Sequence, residues 1–134
     1  MLLRRPSRKG KAAANVSAEP SSVSAADALN NYEKVVAQNC TGYHELERGP
    51  STLAGLSGLS LRFNCSDPRQ GNIESSVAMA SGSGELIFFY ATAPTNEYDA
   101  LRTELDAIRN SFRLNAGGDA SKLAALEPVG WVYD

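Results

Sequence analysis

Hydrophobic and polar positions divide this chain into stretches of alternating character bracketed by two stretches of helical period. The densest apolar stretch is Leu86-Ile87-Phe88-Phe89-Tyr90. An unbroken run of β-formers between turn residues predicts a strand covered on both faces, the central strand of its sheet. Beyond Ala93-Pro94, residues Tyr98, Leu101, Leu105, Ile108 and Phe112 recur at alternating spacings of three and four. All of them fall on one face of a helix, and that stripe must cover something, the sheet being the obvious candidate. A second helical stripe, Leu29, Tyr32, Val35, Val36 and Cys40, predicts a helix over about 25–40. Ser24 before Ala25-Ala26-Asp27 supplies its N-cap, and Gly42 is placed to terminate it.

Period two governs the chain between the helices. Tyr43 to Arg48 alternates until Gly49-Pro50-Ser51 breaks it, and the glycine-rich 52–58 suits a bend or bulge in extended chain. Leu59, Leu61, Phe63 and Cys65 then alternate strictly with Ser60, Arg62 and Asn64. After the loop Asp67–Asn72, the alternation of Ile73, Ser75, Val77 and Met79 predicts another strand, joined to the central one by the hairpin Ser81-Gly82-Ser83-Gly84. Helix, consecutive hairpins, helix reads as an α+β fold: an antiparallel sheet of about four strands with a helix before and a helix after it, packed as an α/β sandwich. Residues 1–22 lack periodicity and read as a disordered basic arm, 23–115 as the folded domain, and 116–134 as a tail whose apolar Leu123, Leu126, Val129, Trp131 and Tyr133 could fold back.

Charge sharpens this division. Arg4, Arg5, Arg8, Lys9 and Lys11 account for five positive charges near the start, so a net −2 for the chain leaves −7 for the rest. An acidic body argues against nucleic-acid binding by the folded part. The start shows no secretory apolar segment; its Arg, Ser and Ala content with no acid before Glu19 matches an organelle transit peptide or a solvated arm. No stretch approaches the ~20 apolar residues of a membrane span.

Candidate chemistry is sparse. Cys40 and Cys65 do not fit a zinc site, with no CxxC and a single histidine, His44. If strand 43–48 pairs antiparallel with 59–65, the second strand returns beside the end of the first helix, where the two sulfurs can meet. A disulfide and two buried free thiols both fit. A Cys/His pair of His44 with Cys40 or Cys65 would suit a small hydrolase-like or ligand-binding domain, against the plainer reading of His44 as a strand residue. Ser81–Gly84 lacks the lysine of a phosphate loop. No cofactor is expected.

The segments STLAGLSGLSLRF, GELIFFYATAP and EYDALRTELDAIRNSFRL resemble the C-terminal part of the PsbP/Mog1-like superfamily and its uncharacterised bacterial relatives. The likeness rests on Gly58 to Phe63, Glu85 to Pro94 and the closing Ser111-Phe112-Arg113, and covers about 25–114. It implies a non-enzymatic accessory or protein-binding role, in a bacterial envelope or an organelle. Members of that superfamily begin with a strand pair before the first helix, and 1–24 shows no sign of one. The resemblance therefore implies an open sheet edge, covered by a protein partner or by a second copy of the chain, or else a shortened relative of the family.

Overall fold

In the computed structural model, which describes residues 2–4, 12–82, 84–112 and 132–133, the two helical stripes and the alternating stretches become the elements of one sheet with a helix on each face. The order is β1 (Leu2–Arg4), β2 (Ala13–Pro20), α1 (Ala25–Asn39), β3 (Thr41–Leu53), β4 (Leu56–Asp67), β5 (Gly71–Gly82), β6 (Glu85–Pro94), α2 (Thr95–Ser111) and β7 (Val132–Tyr133). Five long strands lie in the order β3-β4-β5-β6-β2, and the short β1 and β7 extend the sheet beyond β2. Every pairing is antiparallel. The fold is thus α+β, as the pattern predicted, with more strands than it predicted.

Local chemistry starts and turns these elements. Ser24 Oγ accepts the amide of Asp27 at 3.1 Å, satisfying one free donor of the first turn of α1. The β3–β4 hairpin turns on Ala54 and Gly55, both at positive φ (54° and 83°), the handedness that matches strand twist in a two-residue turn. Gly84, at φ 76°, serves the β5–β6 hairpin.

The two sheet faces differ in where much of the bulk lies, although Ile87 and Phe89 add strand bulk on the α2 face and Tyr32 and Val36 add helix bulk on the α1 face. Toward α2, β2, β5 and β6 present small residues, Ala14, Ala78, Ala80, Ala91 and Ala93, and the helix supplies bulk through Tyr98, Leu101, Leu105, Ile108 and Phe112. Toward α1 the sheet supplies the bulk, with Leu61, Phe63, Ile73, Val77 and Met79, and the helix contributes Ala25, Ala28 and Leu29. Small against large on each face lets the layers approach and fill at interior density. Phe89 meets Phe112 at 6.1 Å on one side, and Tyr32 meets Phe88 at 5.3 Å on the other. A polar tie lies inside: Ser75 Oγ donates to Thr92 Oγ1 at 3.1 Å across β5 and β6.

The structure corrects the sequence reading at three places. Residues 13–20, expected in a disordered arm, form β2 and pair along their whole length with β6, from Ala13↔Thr92 to Pro20↔Glu85. The domain therefore begins well before residue 23, and the sheet edge expected to be open beside β6 is occupied by the chain itself. β2 escaped notice because its buried residues, Ala14 and Val16, are small where Phe89 and α2 fill the space. Gly49-Pro50-Ser51 does not end a strand: β3 runs through it, with Pro50 opposite Leu59. β3 is an edge strand, where a missing N–H need not break a ladder. Gly42 does take positive φ (69°), but inside β3, at a register shift between Thr41 and His44, and not as the cap of α1. The rest of the basic segment, 5–11, and most of the tail, 113–131, lie outside the described residues, while Val132–Tyr133 pairs with β1.

Candidate functional site

The strict alternation of β4 has a polar half as well as an apolar one. With Leu61, Phe63 and Cys65 turned toward α1, the intervening Ser60, Arg62 and Asn64 face the other side, where α2 lies over β5 and β6. Away from the hairpin end, where Leu53 and Leu56 join the α2 core, no helix among the described residues covers the α2 side of β4 and β3. A cleft of about 240 Å³ opens there between α2 and the sheet, lined among others by Glu47, Ser60, Arg62 and Ser76 from the strands and Tyr98, Arg102, Asp106 and Arg109 from the helix.

Its charges are organised around one buried carboxylate. Glu74, 7% exposed, sits diagonally across β4–β5 from Arg62, whose direct partner is Ser76. Arg62 Nη1 donates to Glu74 Oε2 at 2.8 Å, and its Nη2 reaches Glu47 Oε2 at 3.4 Å on the neighbouring strand. Arg102 Nη2 lies 4.0 Å from the same Glu74 oxygen and 3.0 Å from Asp99. An acid this deep is tolerable because the Arg62 guanidinium answers it with one charge-assisted hydrogen bond, its other Nη turning to Glu47. Tyr98 is 2% exposed, and its hydroxyl is held above the ordinary phenol range by burial, opposed by a hydrogen bond with Ser76 and reinforced by the charge of Glu74. Arg102 also lies over the Tyr98 ring, 6.0 Å from its centroid. Arg109 differs from Arg62 and Arg102: its Nε is buried and has no hydrogen-bond partner among the described residues.

The residues singled out from sequence lie elsewhere. Cys40 and Cys65, both buried, are at bonding distance, with sulfurs 2.02 Å and Cα atoms 5.6 Å apart, as the predicted β3–β4 pairing requires. With each sulfur committed to the other, neither is a thiolate for His44 to activate, and His44 itself is exposed on β3 opposite Asn64. Ser81-Gly82 and Gly84 belong to the β5–β6 hairpin. A second polar cluster joins α1 to β3: Tyr43 donates to Glu33 Oε2 at 2.6 Å, and Arg48 bridges Glu33 (2.6 Å) and Glu45 (2.9 Å). The hydrogen bond from Tyr43, opposed by desolvation and aided by Arg48, holds Glu33 below the usual carboxylate range.

The cleft residues were not singled out from sequence, although a signal existed. Arg62 and Glu74 are opposite charges at the polar positions of two strands joined by a short loop, and Tyr98, Arg102, Asp106 and Arg109 form a stripe at helical spacing beside the apolar one. What the pattern lacked was the register that sets them against each other.

No family model matches the sequence, and no curated protein matches it. Solved structures do. Protein PA94 of Pseudomonas aeruginosa, of unknown function and described as a candidate regulator, superposes with a TM-score of 0.59 at 12% identity, over 71% of this chain and 67% of that one. The cyanobacterial PsbP protein (CyanoP) of Synechocystis sp. PCC 6803 gives 0.54 at 14% identity, over 72% and 64%. LpqN, involved in cell envelope biogenesis of Mycobacterium tuberculosis, gives 0.52 at 17% identity, over 74% and 59%. The chain matches only about three fifths to two thirds of the length of these proteins. At such identities the likeness is one of fold, and the resemblance carried by the strand and helix motifs holds at that level: this chain has the PsbP-like fold.

Proposed function

We propose that this chain is a non-catalytic accessory domain that docks a protein partner on the α2 side of β3 and β4. The observation that carries the reading is the half-bare sheet face. Ser60, Arg62 and Asn64, with Glu47 beside them, form a polar surface fixed in place by backbone pairing and by the Glu47–Arg62–Glu74 ion pairs. Small-molecule sites are typically deep and mostly apolar with a few polar groups. This cleft is open and predominantly polar, with Arg62 and Arg102 paired to acids and the Arg109 Nε without an acceptor among the described residues, as at the polar rim of a protein interface.

The remaining long edge is a poor alternative for docking. β3 carries register shifts at Thr41/His44 and Glu45/Glu47, the proline Pro50, and the charged Glu45, Glu47 and Arg48. These are the devices that keep an edge strand from accepting another strand, so they weigh against self-association there. The compartment that fits is an oxidising, extracytoplasmic one, because Cys40 and Cys65 sit at disulfide geometry and LpqN, of the same fold, serves the cell envelope.

The test is site-specific photo-crosslinking in the cell of origin, with the photoreactive residue at Ser60 in the cleft or at exposed Lys34 on α1. A discrete adduct with a second polypeptide from position 60, and none from position 34, is expected. No adduct from 60, or the same ladder from both positions, would refute the docking face. An adduct of twice the chain's mass would identify the partner as a second copy.

A further inference from the structure

Arg109 is the arginine of the cleft whose buried Nε–H finds no acceptor among the described residues. Arg62 is committed to Glu74 and Glu47, and Arg102 is shared between Asp99 and Glu74. Arg109, in the last turn of α2, lines the same cleft with its Nε buried and without an acceptor among the described residues. A buried donor left unpaired keeps its desolvation cost until an acceptor arrives. Guanidinium is the side chain whose fork matches a carboxylate in two parallel hydrogen bonds. From this, and resting on the docking reading above, we infer that Arg109, with Arg102 about two turns earlier on the same helix face, anchors an acidic side chain of the docked protein segment.

The acids in the cleft narrow the chemistry further. Asp106 stands between Arg102 and Arg109 in sequence and lines the same space, as does Glu47. A phosphate dianion or a nucleic-acid backbone would meet both. A single carboxylate with a cationic neighbour would not: its anion faces Arg109 while its cation faces Asp106 or Glu47. The occupant is therefore a peptide segment in which an acidic residue adjoins a basic one, and charge complementarity of this kind fixes register and specificity.

The probe is a blocked hexapeptide of alternating glutamate and lysine, titrated into the full chain while the arginine Nε–H signals are followed by NMR. The Arg109 signal is expected to move saturably. It should stay in place with a version carrying glutamine for glutamate. R109Q is expected to weaken binding by about tenfold or more, as loss of a buried charge-assisted pair does, and R109K, which keeps charge without the fork, by less. Melting curves of each variant show that the fold persists. An unmoved Arg109 signal, or an equal shift with the glutamine peptide, overturns the anchor; so does an equal shift with free glutarate at the same carboxylate concentration, which makes the site a small-acid site. If the peptide fails while the Ser60 adduct forms, the anchor falls and the docking face stands. If the peptide binds and no adduct forms, Arg109 takes a carboxylate but the cellular docking reading falls.

Discussion

Reduction of the Cys40–Cys65 pair should cost this domain a large part of its stability, and the amount follows from chain geometry. The cysteines are 25 residues apart, and closing a loop of that size removes denatured-state entropy worth about 3.5 kcal/mol on the chain-entropy estimate. With an unfolding entropy near 2.1 cal/mol/K per residue, a chain of 134 residues has about 0.28 kcal/mol/K at its midpoint, so the Tm should fall by about 12 °C. The assay is a calorimetric melt of the same protein with and without a phosphine reductant, which opens the loop without deleting an atom. The C40A/C65A variant should fall further, since both side chains are buried among Leu61, Phe63 and Ile73. The closed loop starts at the C-cap of α1 and contains all of β3 and most of β4, so hydrogen exchange on reduction should rise first in β3 and the last turn of α1 and last in β5 and β6. A reduced protein melting within about 2 °C of the oxidised one, against the loop estimate, would refute the reasoning. Two free thiols by mass spectrometry in protein drawn from an oxidising compartment would remove its premise.

Other consequences test the packing and the charges. A Cβ at Gly58 would lie 1.9 Å from the Met79 carbonyl oxygen, so G58A should destabilise by more than about 2 kcal/mol in a urea melt, while G49A, with open space at its position, should change stability little. Removing Arg62 alone strands Glu74: R62M should cost about 2–4 kcal/mol, and R62M/E74M less than the sum of the single changes, with additivity in the cycle counting against a coupled pair. Glu33 has a depressed folded-state value, so the stability it adds is fully present above its unfolded value near 4.5 and is lost as pH falls through the folded one. NMR titration should place its midpoint below the ordinary range and Y43F should raise it; an unchanged midpoint in Y43F would assign the depression to Arg48 alone.

How far the sequence could be read depended on where the bulk of each contact resides. β4, β5, β6 and α2 were legible because their own large residues, Phe63, Met79, Phe89 and Leu105, carry the burial. β2 was not, because Ala14 and Val16 are buried by side chains of other elements, and a strand of small residues looks like linker until Phe89 stands opposite Val16. Finding β2 reverses one inference the family pattern encouraged. A sheet missing its first strands would have offered an edge to a partner, whereas the sheet here fills that edge from its own N-terminal residues and guards the other with bulges and Pro50.

The search for a functional surface thereby moves from edges to faces, and the two faces are unequal. α1 lies over β3, β4 and β5 on one, with Phe88 and Tyr90 packed beside it, while α2 on the other packs mainly on β5, β6 and β2 and meets β3 and β4 near their shared hairpin, at Leu53, Ala54 and Leu56. The cause is the same alternation that made the strands legible. Along β4 the α1-facing positions are apolar and the α2-facing ones are Ser60, Arg62 and Asn64, residues that no helix stripe of leucines would cover without leaving them unpaired. A polar row in mid-sheet is either covered by matching polar groups or left to solvent. Glu74 and Glu47 match Arg62 from within the sheet, Arg102 leans in from the helix, and Arg109 is left over. That remainder gives the bare face a chemical polarity and turns a gap in the packing into a surface with a specified complement.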